Sequence, residues 1–376
     1  MSVNNFCRWY HTGFCDAETF GGCADSAEAR NRVKAQERRQ PHRSKIVNHL
    51  FRIIRLLHKF GKPYFRAVTH RPNAGPHTGD GTMNILVTGA NSGFGNLIVT
   101  DLVKGGHSVA GTVRDPEGRN ADAAAALRRL GVEVVDIDVT DDDSVRKGVA
   151  AVRGAIGDVD VLINNAGVGV VGLQENFSAD DFQRVFDINV FGVQRMIRAM
   201  LPQMRAHGAG LIVNVSSLLG RVTIPFLGPY NAAKWAVEAI SENYRAELSQ
   251  FGVDVVVVEP GGFPTAFFGN LIQPSSRDRD QGYGELATAP QAMLEEMGQS
   301  LANNPEQTPQ IVSDAVVELV NMAPGTRPFR TEVDRSGMSD PIKPYNDLHA
   351  KVTEALFTSY GMDGMLKLNV ANSKAA

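Results

Sequence analysis

The sequence predicts an α/β fold, a doubly wound parallel sheet of about seven strands with helices on both faces. Three observations carry this. From residue 84 to residue 260, short β-branched apolar runs alternate with helical periodicity. That alternation implies right-handed βαβ units and a parallel sheet covered on both sides. The first apolar run ends in a glycine-rich turn directly before a helix, a phosphate-binding arrangement. Finally, 376 residues that are 43% hydrophobic can fill a large core.

The elements follow in order. NILVTGA (84–90) reads as a strand and 94–104 as a helix. SVAGTV (108–113) is a second strand, followed by an Ala-rich helix near 121–130. VEVVDI (132–137) is a third, with a helix at 142–155. VDVLINNAG (159–167) is a fourth, followed by one long helix over 180–206. GLIVNVSS (210–217) is a fifth, with a helix at 229–250, and VDVVVVEP (253–260) is a sixth. From 262 to about 308 the pattern breaks into Gly-, Pro-, Phe- and Gln-rich sequence with weak helices. A long irregular insert there reads as a substrate loop or lid. Helical periodicity returns at 308–321, RPFRTEVD (327–334) offers a seventh strand, and 347–358 a last helix.

Charge divides the chain before Met83. Residues 1–82 carry 14 Lys+Arg and 6 Asp+Glu, whereas 83–376 carry 24 and 35. The first segment is a basic N-terminal extension, read as an upstream start or an unstructured tail. Residues 83–376 are expected to form the domain. Within the extension, 45–60 make a basic amphipathic helix. Membrane contact through it is the lesser reading. Three Cys exclude a disulfide framework; all lie in the extension, eight apart and without a paired His motif, which makes a poor case for a zinc site. No run reaches the roughly 18 apolar residues of a membrane span, and no secretory signal opens the chain, so a cytoplasmic protein is expected. A net charge of −3 makes no case for nucleic acid.

The motifs fall at strand ends. In Thr88-Gly89-Ala90-Asn91-Ser92-Gly93-Phe94-Gly95, Gly89 allows a tight turn. Gly93 admits a pyrophosphate and Gly95 allows close helix packing. After the second strand, Arg114 offers a fork for a 2′-phosphate while Asp115 competes for a ribose hydroxyl, which favours NADP(H) over NAD(H). Asn164-Asn165-Ala166-Gly167 ends the fourth strand, where carboxamides can tie strands together, border a cofactor crevice, or both. Phe182, Phe186, Asn189, Val193 and Met196 form one apolar helical face, so a buried Asn189 requires a hydrogen-bond partner. Ser216 and Ser217 stand at the ligand-binding edge. Tyr230 and Lys234 share one helix face, and an ammonium beside a phenol favours phenolate.

Taken together and in this order, the glycine turn, NNAG, Asn189, Ser217 thirteen residues before Tyr230, and YxxxK resemble the short-chain dehydrogenases/reductases. The similarity is to their single-domain, Rossmann-like branch, and runs from Asn84 to about Asn270. The resemblance implies a catalytic set of Asn189, Ser217, Tyr230 and Lys234. Tyr230 would be the general acid in reduction and the base in oxidation. Lys234 would lower its pKa and bond the nicotinamide ribose. Ser217 would hold the substrate oxygen, and Asn189 would support a relay water. The cofactor contacts implied are Gly89, Ser92, Gly93, Phe94, Gly95, Arg114, Asp138, Val139, Asn165, Ala166, Gly167, Tyr230, Lys234, Pro260, Gly261 and Thr265. Asp138 and Val139 would border adenine, and Pro260, Gly261 and Thr265 the nicotinamide. Phe94 stands where Ile or Leu is more usual.

The implied reaction interconverts a ketone or aldehyde and its alcohol without a metal. Phe263, Phe267, Phe268, Leu271 and Ile272 suit either an apolar substrate or a core. A homo-oligomer is implied, through the helices after the fourth and fifth strands. A non-catalytic NADP-binding scaffold or redox sensor is the alternative, and retention of both Tyr230 and Lys234 weighs against it.

Overall fold

The computed structural model describes residues 81–370. The basic segment 45–60 and the three Cys lie outside the described residues. The strands are β1 (Asn84–Val87), β2 (Ser108–Thr112), β3 (Glu133–Val135), β4 (Val161–Asn164), β5 (Gly210–Val215), β6 (Val253–Pro260) and β7 (Arg330–Val333). They form one seven-stranded sheet in the order β3-β2-β1-β4-β5-β6-β7, with every pair parallel. Between them run α1 (Gly93–Lys104), α2 (Ala121–Arg129), α3 (Asp142–Ile156), α4 (Ala179–Phe186), α5 (Gly192–His207) and α6 (Gly228–Leu248). After β6 come α7 (Asp280–Tyr283), α8 (Ala289–Ala302) and α9 (Gln310–Asn321), and after β7 α10 (Ile342–Ser359). The described residues fall into two units. One, 81–351 with 365–370, holds the sheet; the other, 352–364, is the end of α10 and the turn after it. Among the described residues no helix is long and apolar enough to cross a membrane.

Strand alternation builds two cores. Leu86 and Leu162 point to one face and pack with Met196, Met200 and Val237. Ile85, Val87, Val161 and Ile163 point to the other, with Ile98, Leu102 and Val316. Burial on both faces explains why these strands read as continuous apolar runs. The order reverses between β1 and β4, so the adjoining crossovers leave on opposite faces. A crevice opens at the carboxyl edge there, the usual ligand position in such sheets.

Three expectations change. The helix predicted over 180–206 is interrupted by a π-helical turn, Asp187–Phe191, between α4 and α5. One residue is thereby inserted into the helical phase. Asp181 and Val185 are buried, while Phe182 and Phe186 only pack against the core from its edge. The insert contains a full 14-residue helix, α8. Only Pro290 in it is buried, so no apolar stripe marks it in the sequence. The last helix starts at Ile342, five residues earlier than its periodicity indicated.

The insert is laid onto the sheet edge by specific contacts. Val170 pairs with Ile272 as an isolated parallel bridge. Asp181 completes a capping box with Ser178 at the start of α4. Its Oδ2 also accepts from Ser275 N at 3.2 Å and Ser275 Oγ at 2.8 Å. Burial pushes the Asp181 carboxyl up, but the hydrogen bonds from Ser275 and Ser178 prevail and hold it at about 2. A group depressed in this way stabilises the fold above its unfolded value and loses that effect as pH falls. Asp181→Ala should therefore cost about 2 kcal/mol in urea denaturation of the full chain at neutral pH. The difference from wild type should shrink from pH 3.8 downward and vanish below about 2.

Candidate active site

The glycine turn leaves β1 with Gly89 at φ 68° and Gly93 at φ 53°, both in the left-handed region. A Cβ on Gly95 would run into the Gly89 carbonyl oxygen. Helix α1 can therefore start directly against the turn. Thr88 Oγ1 accepts from Asn165 N and Ala166 N, both at 3.0 Å. Asn165 Nδ2 donates to Thr88 O at 2.9 Å and Gly89 O at 3.1 Å. Gly89 N donates to Thr112 Oγ1 at 3.0 Å. These bonds join the ends of β1, β2 and β4. Ser92 caps α1 without a side-chain bond to its amides, and the first turn carries no acidic residue. The amides and helix dipole there suit a phosphate. Phe94, between the two glycines, packs edge-on to Phe263 at 5.4 Å, tying the turn to the loop after β6.

At the far end of the crevice, Arg114 follows β2 half-exposed, 3.5 Å from Asp138 Oδ2. Asp115 takes φ 53°, and its carboxylate accepts from Arg119 N at 3.1 Å. Its carboxylate is thus engaged by its own turn, while Arg114 stays half-exposed beside Asp138. Asp138 accepts from Thr140 N and Oγ1 at 2.9 and 2.7 Å. Burial raises the Asp138 carboxyl, but Thr140 and Arg114 outweigh it and hold it low. Val139 is buried, with its carbonyl on Arg195.

Ser217 lies two residues beyond the end of β5. Its Oγ donates to Pro260 O at 3.4 Å and accepts from Leu219 N at 3.0 Å. Pro229 starts α6, placing Tyr230 in its first turn and Lys234 one turn later. Lys234 is buried; its Nζ donates to Val215 O at 2.9 Å and lies 5.5 Å from the Tyr230 ring centre. Burial pushes the Tyr230 phenol up to about 12, against a hydrogen bond with Ser217. Burial pushes Lys234 down to about 8, against the charge of Glu238. For the phenol, desolvation is the larger of the two effects, so its direction is upward.

The π-helical turn presents Asn189, which is 1% exposed. Its Oδ1 accepts from Val168 N and its Nδ2 donates to Val168 O, both at 2.8 Å. The carboxamide is committed to the loop after β4. A Cβ on Gly167 would lie 3.2 Å from Asn189 Oδ1 and 3.8 Å from Lys234 Nζ, so this glycine brings the two together. Over the site, Phe267 sits edge-on to Tyr230 at 5.6 Å. Gly169 makes room for Phe267 and Leu271. A Cβ on Gly93 would lie 3.8 Å from Thr265 Cβ, and the Gly261 amide donates to Val333 O at 2.9 Å. Every site residue named from the sequence except Arg114, Asp138 and Val139 thus gathers around the turn, Lys234 or the loop after β6.

Three contributors were not singled out. Asn214 pairs with Asn164 in register, accepting from its Nδ2 at 2.8 Å and donating to Ser241. A lone carboxamide within an apolar strand was its signal. Phe267 was grouped with a wall, and Glu238 carried no motif. A cavity of about 340 Å³ lies between 171–176 and 273–295. Among the described residues no group of three His, Cys, Asp or Glu is placed to hold a metal ion.

The profile of the short chain dehydrogenase family matches residues 83–275. The chain is 34% identical over 250 residues to a 3-ketodihydrosphingosine reductase of Bacteroides thetaiotaomicron, spanning 66% of this chain and 87% of that one. It is also 34% identical over 250 residues to retinol dehydrogenase 8 of Bos taurus, spanning 65% and 80%. The solved structures that align with it include two holding a nicotinamide cofactor. One is a short-chain dehydrogenase/reductase from Burkholderia phymatum in complex with NAD (26% identity, TM-score 0.60, 72% and 95% of the chains). The other is actinorhodin polyketide ketoreductase with NADPH (27%, 0.57, 69% and 98%). With fold, glycine turn and sequence in agreement, this chain belongs to the short-chain dehydrogenase/reductase family of oxidoreductases. Both NAD and NADPH occur among its structural neighbours.

The Gly95 contact generates a direct test. Gly95→Ala should force α1 away from the turn and lower the melting temperature, at a cost of about 1–3 kcal/mol.

Proposed function

We propose that the chain is an NADP(H)-dependent oxidoreductase that interconverts a ketone or aldehyde and the corresponding alcohol, with Tyr230 as general acid and base. The observation that carries this reading is the joint placement of Ser217, Tyr230 and Lys234 at one strand edge, with Lys234 Nζ on Val215 O and 5.5 Å from the Tyr230 ring centre. The names of the two relatives, a keto reductase and an alcohol dehydrogenase, favour the same interconversion.

NADP(H), when bound, supplies or accepts the hydride. Gly89, Ser92, Gly93, Phe94 and Gly95 would hold its phosphates, and Asn165, Ala166 and Gly167 would border it. Arg114 would pair with a 2′-phosphate and favour NADP(H), while Asp138 and Val139 flank the adenine end. Pro260, Gly261 and Thr265 would border the nicotinamide. Ser217 Oγ donates to the substrate oxygen and holds it against the phenol. Tyr230 gives its proton to that oxygen as negative charge develops, and takes it back in oxidation. A phenol at about 12 is fully protonated at neutral pH, the form that reduction requires. Lys234 keeps a positive charge under the ring and steadies the phenolate left after transfer. Asn189 fixes the loop at Val168 so that Gly167 stays against Lys234.

The apolar wall of Phe263, Phe267, Leu271 and Ile272 suits an apolar substrate. Exposed Phe191 and Trp235, at the π-helical turn and on α6, suit the homo-oligomer interface expected of these helices. In this reading 83–376 is the catalytic domain, acting in the cytoplasm, and 1–82 is dispensable to it.

Isothermal titration of the full chain should give NADPH at least tenfold tighter binding than NADH, about 1.4 kcal/mol. Arg114→Ala should erase the difference. Equal affinities in the wild type would remove the assigned role of Arg114. Tyr230→Phe should lower kcat/KM on a panel of apolar ketones by about 10²–10⁴-fold while leaving NADPH affinity intact. The reductive rate should be level below about pH 8 and fall above it, because Lys234 loses its proton there while Tyr230 keeps its own.

A further inference from the structure

Behind Tyr230 and Lys234, four elements converge on buried charge that the chemistry above does not use. Glu238 lies one turn after Lys234 on α6 and is 2% exposed. Glu259, directly before Pro260, is fully buried. One guanidinium serves both. Arg330 Nε donates to Glu238 Oε2 at 2.9 Å and stands 3.4 Å from Glu259 Oε1. Asn346 of α10 donates to Glu259 Oε2 and Glu332 Oε1, both at 2.7 Å, and accepts from Arg221 Nε at 2.7 Å. Arg221 itself stands 4.0 Å from Glu259. At the rim, Glu242 lies 3.9 Å from Arg330 and 3.6 Å from His349.

This cluster reaches the lysine by two routes. The i, i+4 spacing sets Glu238 and Lys234 side by side on one helix face. Both side chains also run to the same strand end. Lys234 Nζ sits on Val215 O, whereas Glu238 Cγ lies beneath Gly220, whose Cβ would fall 3.0 Å from it and 2.8 Å from Ser216 Oγ. Burial and the adjacent Glu238 push Glu259 up to about 8. Glu238, one helical turn from Lys234, is the side chain of the pair that Arg330 Nε grips directly. Its Oε1 has no hydrogen-bond partner and is held only through the Arg330 contact at Oε2.

We propose that Glu238 is a positioning residue for the proton transfer: its carboxylate, anchored on Arg330, holds the ammonium of Lys234 charged at the end of β5. This rests on the reading of Lys234 as the catalytic lysine. Without that negative neighbour, a buried ammonium sheds its proton more readily and the phenolate loses its counter-charge. Arg330 is needed in turn, because a buried carboxylate without a partner would itself be neutralised.

The test is a pH titration of the full chain labelled with ¹⁵N-lysine, following the Nζ resonance that Lys234→Met removes. Glu238→Gln should lower the Lys234 midpoint by about one pH unit. The alkaline limb of ketone reduction should move down with it. Glu238→Asp keeps the charge but withdraws it by one methylene, and should lower the midpoint by only about a third of that. An unmoved midpoint in folded Glu238→Gln overturns the proposal. Should that variant not fold, Glu238→Asp decides alone, and an unchanged midpoint there overturns it equally. A midpoint that moves in a protein unable to reduce any ketone of the panel would unseat the proposed function and leave the Glu238–Lys234 coupling standing.

Discussion

Where the strand order reverses between β1 and β4, the ladder of these two strands ends at Val87 and Ile163. Thr88 and Asn165 carry the connection beyond it. One hydroxyl accepts two amides from the neighbouring strand, and one carboxamide returns two bonds to the turn it faces. The glycine turn therefore has a fixed base, and α1 starts at a fixed distance from β4. Gly167, three residues past Asn164, inherits that placement, and with it the approach of Asn189 and Lys234. The glycine turn and the edge that carries Asn189 and Lys234 are two sides of one stitched seam.

At Tyr230 and Lys234 two opposing effects are decided by burial. Proximity of an ammonium to a phenol favours both charged forms, yet desolvation drives both toward neutrality. The structure surrounds the lysine, with Val215 O in front and Glu238 one turn behind on the same helix, and sets Ser217 on the Pro260 carbonyl.

Much of this was legible in the sequence, for a physical reason. Strands buried on both faces must be apolar throughout, so their positions along the chain could be read directly. Glycines that permit a close approach, and hydroxyls or amides at strand ends, likewise declare themselves. What stayed hidden depends on partners distant in the chain. Phe94 looked like a backbone position until Phe263 met it from beyond β6. Helix α8 buries one proline and so leaves no periodic trace. Glu238, one of many glutamates, acquires its meaning only from Arg330, 92 residues later. The π-helical turn was invisible because Asn189 fits the apolar face of a regular helix as well as that of an irregular one.

That irregular turn makes the helix sensitive to length as well as to composition. It holds one residue more than an α-helical turn, so everything in α4 is rotated relative to α5 by roughly 100°. Removing a single residue from 187–191, of whatever kind, would let the hydrogen bonds close into one continuous rod. The side chain facing Val168 would then no longer be Asn189 in its present orientation, and Asp181 would turn away from Ser275. Counting errors of one residue, tolerated in most surface loops, would here uncouple the floor of the site from its lid in the same stroke.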